Sequence, residues 1–251
     1  MAKEITTRGH VFLKKKEVSF KLEQITTQPI EIGRPENPQP GDILIRNEQI
    51  KERINEMAAN IAKNHKGEKL LIVSVLTGAT IFGAYLAQAL HEHGLTDAEL
   101  DFVRAESYKG QRKTSKLKMT THPKNSIEGR NILLVEDIID SGETVTQIEQ
   151  YLINKGARSI TSAALVSKLE SRKVPYEADY TGFIIPRIWI EGFGLDTDEE
   201  NRTNPHIVIG YERKKPKQLR WFEQYAINLL ALANTRIPGL RGRIYPSRDN
   251  K

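Results

Sequence analysis

The sequence predicts an α/β protein with a central, mostly parallel sheet flanked by helices. Two continuous apolar runs, Leu70 to Leu76 and Ile132 to Val135, have the length and composition of strands buried on both faces. Each is followed by a turn of small residues and then by apolar residues at helical spacing. The alternation of strand and helix continues along the chain, which is the signature of a parallel sheet built from crossovers. In such sheets ligands bind where strands end and helices begin.

Taken in order, residues 1–40 read as an appended segment and linker. Val18, Phe20 and Leu22 alternate as in a hairpin, and Gly33-Arg34-Pro35 to Pro40-Gly41 breaks regular structure. A helix is expected from Asn47, because Ile50, Ile54, Met57 and Ile61 fall on one face, and Gly67 ends it. The Leu70 to Leu76 strand leads through Thr77-Gly78-Ala79-Thr80 into a helix from about Ile81 to His93, stopped by Gly94. Leu100 to Val103 is a short strand. Arg104 to Gly129 is then a long polar connection, read either as a lid that excludes water or as a solvated loop or hairpin.

The next unit is Asn131 to Gln147, NILLVEDIIDSGETVTQ. Its strand is followed by Glu136, Asp137 and Asp140, by Ser141-Gly142-Glu143-Thr144, and by a helix marked by Val145, Ile148 and Leu152. Small residues admit a close anion, Ser141 and Thr144 bring hydroxyls, and helix N–H groups with the helix dipole favour phosphate. The carboxylate pair suits a hard cation or sugar hydroxyls. Together these features describe a ribose phosphate site; the competing reading is an ordinary helix start capped by Ser or Thr. Ser159 to Val166 is another strand with Lys168 at its end. Tyr180 to Ile185, Ile188 to Ile190 and Ile207 to Tyr211 are further apolar pieces, and Leu219, Phe222, Ala226, Leu229 and Ala233 mark an amphipathic helix.

Composition bounds the setting. The chain has 251 residues and no cysteine, which excludes disulfides and thiolate metal sites. It has neither a signal-like start nor an apolar run of membrane-spanning length, so a soluble, cytoplasmic protein with no membrane partner is expected. The net charge is +6, and Tyr211 to Lys251 alone holds ten Lys or Arg against three Asp or Glu. A basic tail of this kind is usually a solvated face; nucleic acid is a possible partner but not the favoured one.

Several segments together resemble the type I phosphoribosyltransferases, most closely the branch that makes hypoxanthine and guanine nucleotides. VEDIIDSGET (135–144) is similar to the family's phosphoribosyl pyrophosphate signature, SVLTGAT (74–80) to its pyrophosphate loop, DFVRAESYKG (101–110) to its lid and WIEGFGLDTDEENR (189–202) to its base- and metal-binding stretch. The resemblance implies that fold, with a small hood at about 168–211 within a phosphoribosyltransferase domain at 41–212. Residues 213–251 follow as a basic extension with the amphipathic helix, a candidate surface for a homo-oligomer.

Carried onto this sequence, the resemblance assigns Glu136 and Asp137 to the ribose hydroxyls, directly or through Mg2+, and Asp140 to the purine imidazole nitrogen as proton acceptor. It gives the 5-phosphate to Ser141, Gly142 and Thr144, and pyrophosphate to Thr77 and Gly78, beside a non-proline cis bond from Leu76 to Thr77. Lys168 would donate to the 6-oxo group, Trp189 would stack on the base and the Ile190 backbone would read its edge. Asp196 would bind a second magnesium, Arg202 would neutralise pyrophosphate, and Ser107 and Tyr108 would close over the site. The implied reaction is Mg2+-dependent purine salvage from phosphoribosyl pyrophosphate and a purine base. Two residues depart from the pattern. Glu191 leaves the choice of base open, and Glu143 places a carboxylate in the phosphate loop, where it is expected to face solvent. The rival reading is a sensor that keeps the pocket and binds nucleic acid through its tail; a third is transfer to a different base.

Overall fold

A computed structural model describes residues 28–108 and 116–211, without the side chains of Ser107, Tyr108 and Lys116. The expected hairpin around Val18, the basic tail and the amphipathic helix near Phe222 lie outside the described residues.

Ten strands and three α-helices are described: β1 (Ile30–Glu31), β2 (Ile43–Ile45), α1 (Asn47–Asn64), β3 (Leu70–Leu76), α2 (Thr80–Glu92), β4 (Glu99–Tyr108), β5 (Lys116–Thr121), β6 (Asn131–Ile139), α3 (Glu143–Asn154), β7 (Ser159–Ser167), β8 (Tyr180–Ile184), β9 (Ile190–Glu191) and β10 (Ile207–Ile209). A seven-stranded sheet runs β1-β8-β7-β6-β3-β4-β5, and a separate three-stranded sheet runs β2-β10-β9. All pairings in the large sheet are parallel except β4 with β5.

Alternation along β3 divides the core in two. Leu70 and Ile72 pack with Ile54, Met57 and Ile61 of α1 and Phe82 and Leu86 of α2, while Leu71 and Val73 pack with Val145, Ile148 and Leu152 of α3. Each strand of the middle is therefore covered on both faces, which explains its unbroken apolar run. The four residues that predict α1 are all buried.

Chain order reverses between β3 and β6: one neighbour of β3 is the next strand in sequence and the other is β6. The crevice outside the carboxyl ends of these two strands is the ligand position that parallel-sheet geometry favours. Thr77-Gly78 and Asp140-Ser141-Gly142 both emerge there.

Several expectations change. Ile30 and Glu31, expected before the domain, form an edge strand paired with Phe183 and Ile184. The strand at Leu100 extends to Tyr108 and pairs antiparallel with β5, so much of the long connection is paired strand; residues 109–115 are not among those described. The span 168–211 is not all hood, because β8 belongs to the large sheet. The small sheet instead takes β2 from the start of the domain, pairing Ile45 with Ile207.

Candidate active site

Strand β6 carries Glu136 and Asp137 within its own C-terminal stretch rather than beyond its end. The strand continues to Ile139 because β7 stays paired with it through Ile139 and Ser167. Burial lifts the Glu136 carboxyl well above the ordinary carboxylate range, helped by the charge and hydrogen bonding of its neighbour Asp137. Burial also raises Asp137, against the opposing influence of Glu136, the Ile138 N–H and the more distant charge of Arg202. Two carboxylates this close favour sharing a proton. Glu136 Oε2 is buried with no protein partner, so it is an acceptor held ready for something the protein does not supply.

Beyond the strand, Gly142 adopts φ 80° and opens α3 without a side-chain cap. Its hydrogen matters sterically as well, since a Cβ there would lie 2.9 Å from Val174 Cγ2. Ser141 Oγ accepts the Glu143 N–H at 3.2 Å. A pocket of about 240 Å³ is lined by Glu136, Ile138 to Gly142, Thr144 and Val145, placing the phosphate-type residues around the start of one helix. Glu143 does face away, its carboxylate 3.2 Å from Lys173 Nζ.

Lys168, the first residue past β7, is almost wholly buried and lies 3.9 Å from Asp140 Oδ2. Burial lowers its pKa, opposed by Asp140 and reinforced by Arg187. The parallel register of β6 and β7 thus delivers the expected acceptor and donor side by side.

The turn after β3 has a cis peptide from Leu76 to Thr77. A Cβ on Gly78 would fall 1.8 Å from Asp137 Oδ2, and a Cβ on Gly194 would fall 2.0 Å from the Gly78 carbonyl oxygen. Gly78 is therefore clasped between the Asp137 carboxylate and the loop of the small sheet. In that loop Arg202 donates to the Gly194 carbonyl at 2.8 Å and pairs with Asp196 at 2.9 Å and Glu199 at 3.0 Å, while its Nε is buried without a protein partner. Asp196 also accepts the Glu199 N–H at 2.8 Å. Trp189 is 45% exposed, its indole N–H donating to Thr197 Oγ1 at 2.6 Å, and Ile190 is buried in β9. Ser107 and Tyr108 end β4 opposite Leu117 and Lys116, and their side chains are outside the described residues.

The carboxylates stand as one pair and one separate Asp196, and no cluster of three metal-type side chains occurs among the described residues. A hard cation that takes one or two carboxylates and completes its shell with water and substrate phosphates suits this donor set, and the unpartnered Glu136 Oε2 fits it.

Sequence reasoning missed Arg172. Its guanidinium donates to the carbonyls of Asp140 at 2.6 Å and Tyr176 at 2.9 Å, to that of Ile139, and to Ser167 Oγ at 2.7 Å. Lys173 N–H donates to the Ser141 carbonyl at 3.0 Å. The segment after Lys168 therefore wraps the phosphate turn. In sequence Arg172 is one cation among many in a polar stretch, and only its spacing of four from Lys168 marks it.

The Phosphoribosyl transferase domain family model matches residues 41–198. Hypoxanthine-guanine phosphoribosyltransferase of Aquifex aeolicus is 34% identical over 169 residues, covering 66% of this chain and 93% of that protein. The bifunctional protein TilS/HprT of Listeria innocua is 34% identical over 168 residues, but the chain spans only 25% of its length. Among solved structures, hypoxanthine phosphoribosyltransferases of Trypanosoma cruzi (32% identity, TM-score 0.62, 68% of this chain and 96% of that one) and Staphylococcus aureus (29%, 0.63, 68% and 92%) share the fold. With the switch-point crevice, the helix-start pocket and the match over most of the chain, this protein belongs to the phosphoribosyltransferase family.

Proposed function

We propose that this protein transfers ribose 5-phosphate from phosphoribosyl pyrophosphate to a 6-oxopurine, hypoxanthine or guanine, forming IMP or GMP and releasing pyrophosphate. The observation that carries the reading is the clasp at Gly78, which sets the turn after β3 against the buried Asp137 and the Arg202 loop, while the adjacent Glu136 lines the pocket at the phosphate turn. The names of the full-length relatives support the choice of base.

The 5-phosphate binds the start of α3 through Ser141, Gly142 and Thr144, and pyrophosphate meets the Thr77-Gly78 backbone and the charge of the Arg202 guanidinium. Glu136 and Asp137 hold the ribose hydroxyls. The bond from ribose C1 to pyrophosphate breaks with its electron pair leaving on oxygen, positive charge grows on the sugar, and the fixed carboxylates stabilise it. The purine stacks on Trp189, the Ile190 backbone reads its edge and Lys168 donates to its 6-oxo group. As one imidazole nitrogen bonds to C1 through its in-plane lone pair, Asp140 takes the proton from the other ring nitrogen, and the nearby Lys168 ammonium stabilises the carboxylate beforehand. Ser107 and Tyr108 are assigned to closing the site. Glu136, Asp137 and Asp196 would hold Mg2+, which supplies charge neutralisation on the phosphate oxygens. Lys168 selects an oxopurine because adenine would present it with a second donor. We assign the reaction to the cytoplasm, in keeping with a chain free of cysteine.

The test is pyrophosphate release with phosphoribosyl pyrophosphate, Mg2+ and each nucleobase in turn. Turnover with hypoxanthine or guanine is expected, and Asp140→Asn is expected to fold normally and lose about 100-fold or more in kcat, the usual scale of a lost general base. Silence with every base overturns the reading in favour of a sensor, and an unchanged kcat in Asp140→Asn removes that residue from its role.

A further inference from the structure

Glu191 has no part in the reaction derived above, yet its carboxylate is buried, 5% exposed, in β9 and fixed in register with Val208 of β10. Trp189 and Glu191 are two residues apart and so share a strand face. Gly210 shows it: a Cβ there would sit 2.6 Å from Trp189 Cδ1 and 3.2 Å from Glu191 Oε2, so both side chains cross the same bare backbone. From this face two hydrogen bonds reach the same loop. Trp189 donates to the buried Thr197 hydroxyl at 2.6 Å, and Glu191 Oε1 accepts from Asn201 Nδ2 at 2.8 Å.

Between these anchors the loop is conformationally costly. Asp198, Glu199 and Asn201 have φ of 54°, 66° and 67°, the left-handed region that residues with a Cβ enter at an energetic penalty. Such a run persists where its surroundings fix it. Asn201 directly precedes Arg202, whose Nε is buried and unpartnered. The hydrogen bond that the Asn201 amide donates to Glu191 is a strong restraint in this shielded place, and removing Glu191 leaves the amide without that acceptor.

We propose that Glu191 is a positioning residue for the leaving-group side of the site: through Asn201 it holds the 197–202 loop so that Arg202 meets pyrophosphate, and it does not read the base. With the Trp189–Thr197 bond, the base-stacking strand and the pyrophosphate loop then behave as one piece. The inference rests on the proposed function and adds to it a coupling between the two ends of the substrate pair.

The experiment uses the full chain with Glu191→Val and Glu191→Gln, measuring phosphoribosyl pyrophosphate binding calorimetrically with Mg2+ and steady-state kinetics with hypoxanthine, guanine and xanthine. Glu191→Val is expected to weaken phosphoribosyl pyrophosphate binding and raise its KM by about tenfold or more, the scale of a hydrogen bond to a charged group, with the order of preference among bases unchanged. Glu191→Gln keeps an acceptor for Asn201 and is expected to stay within about threefold of wild type. Asn201→Asp removes the donor and opposes Glu191 with like charge, so it carries the same test should Glu191→Val not fold, with the same loss of affinity expected. Unchanged affinity in the folded variants, or an altered base preference, overturns the proposal alone. A wild-type protein that does not bind phosphoribosyl pyrophosphate at all overturns the functional reading and this proposal with it.

Discussion

Gly78 occupies a position that no side chain fits. Its hydrogens face the Asp137 carboxylate, which is itself nearly buried and held by the Ile138 N–H at 2.9 Å, so it has little room to retreat. Gly78→Ala is expected to displace the carboxylate or the pyrophosphate turn and raise the KM for phosphoribosyl pyrophosphate by about 100-fold, the effect of roughly an ångström of misplacement. Initial-rate kinetics beside circular dichroism would check this; a folded variant with normal KM counts against the clasp. At this scale much of the site was legible. Asp140, Ser141, Gly142 and Thr144 lie in one contiguous run, and contiguity at a strand-to-helix turn fixes their neighbourhood. Glu143 was legible only as an oddity, and its pairing with Lys173 is a surface contact worth at most about 1 kcal/mol that keeps its charge off the phosphate pocket. Gly194 was not legible, because its need for a bare backbone arises from Gly78, more than a hundred residues away in sequence.

Among the elements, the turn between β6 and α3 depends on a segment after β7 for its shape. Arg172 supplies a planar fork to several carbonyl oxygens at once, including that of Asp140, and a lysine can offer charge there but no matching fan of donors. Arg172→Lys is expected to lower kcat at least about tenfold while raising the KM for base and phosphoribosyl pyrophosphate together, since the Ile139 and Asp140 carbonyls that shape the turn lose their side-chain tie. Loss of thermal stability without any kinetic change would make Arg172 a structural residue only. The helices and middle strands were readable because their apolar periodicity is local and their burial follows directly from it: Ile50, Ile54, Met57 and Ile61 are all buried as spaced. The small sheet was not, because β2, β9 and β10 are two or three residues each and come from opposite ends of the domain. Strands so short carry no period, and their pairing is decided by tertiary contacts.

At the scale of the whole molecule, stability rests on a sheet covered on both faces, and one buried network beneath α3 makes it pH-dependent. Tyr176 donates to Glu149 Oε1 at 2.5 Å, and burial, with the charge of Asp179 adding to it, raises Glu149 to about 7 despite that bond. A raised folded-state value means that the folded protein holds the proton more tightly than the unfolded chain. The contribution is therefore complete below the ordinary Glu value, about 4.5, and is lost as pH rises through about 7. Glu149→Gln cannot ionise and still accepts from Tyr176. Relative to it, the wild type is expected to lose on the order of 1–2 kcal/mol between pH 4.5 and pH 8, after allowance for solvent screening. Denaturant unfolding across that range would read the difference, and parallel curves would refute it.

The outer strands of the large sheet have a consequence for how copies of this chain meet. One edge is β1, only two residues long, and the other is β5, whose exposed positions include Lys118 and Thr120. Extending the sheet from one molecule into the next across β5 would bring like charges together, and across β1 would offer too few backbone groups to pair. Among the described residues neither edge offers a long apolar template, so the sheet resists runaway edge-to-edge aggregation although its middle strands β3, β6 and β7 are strongly apolar.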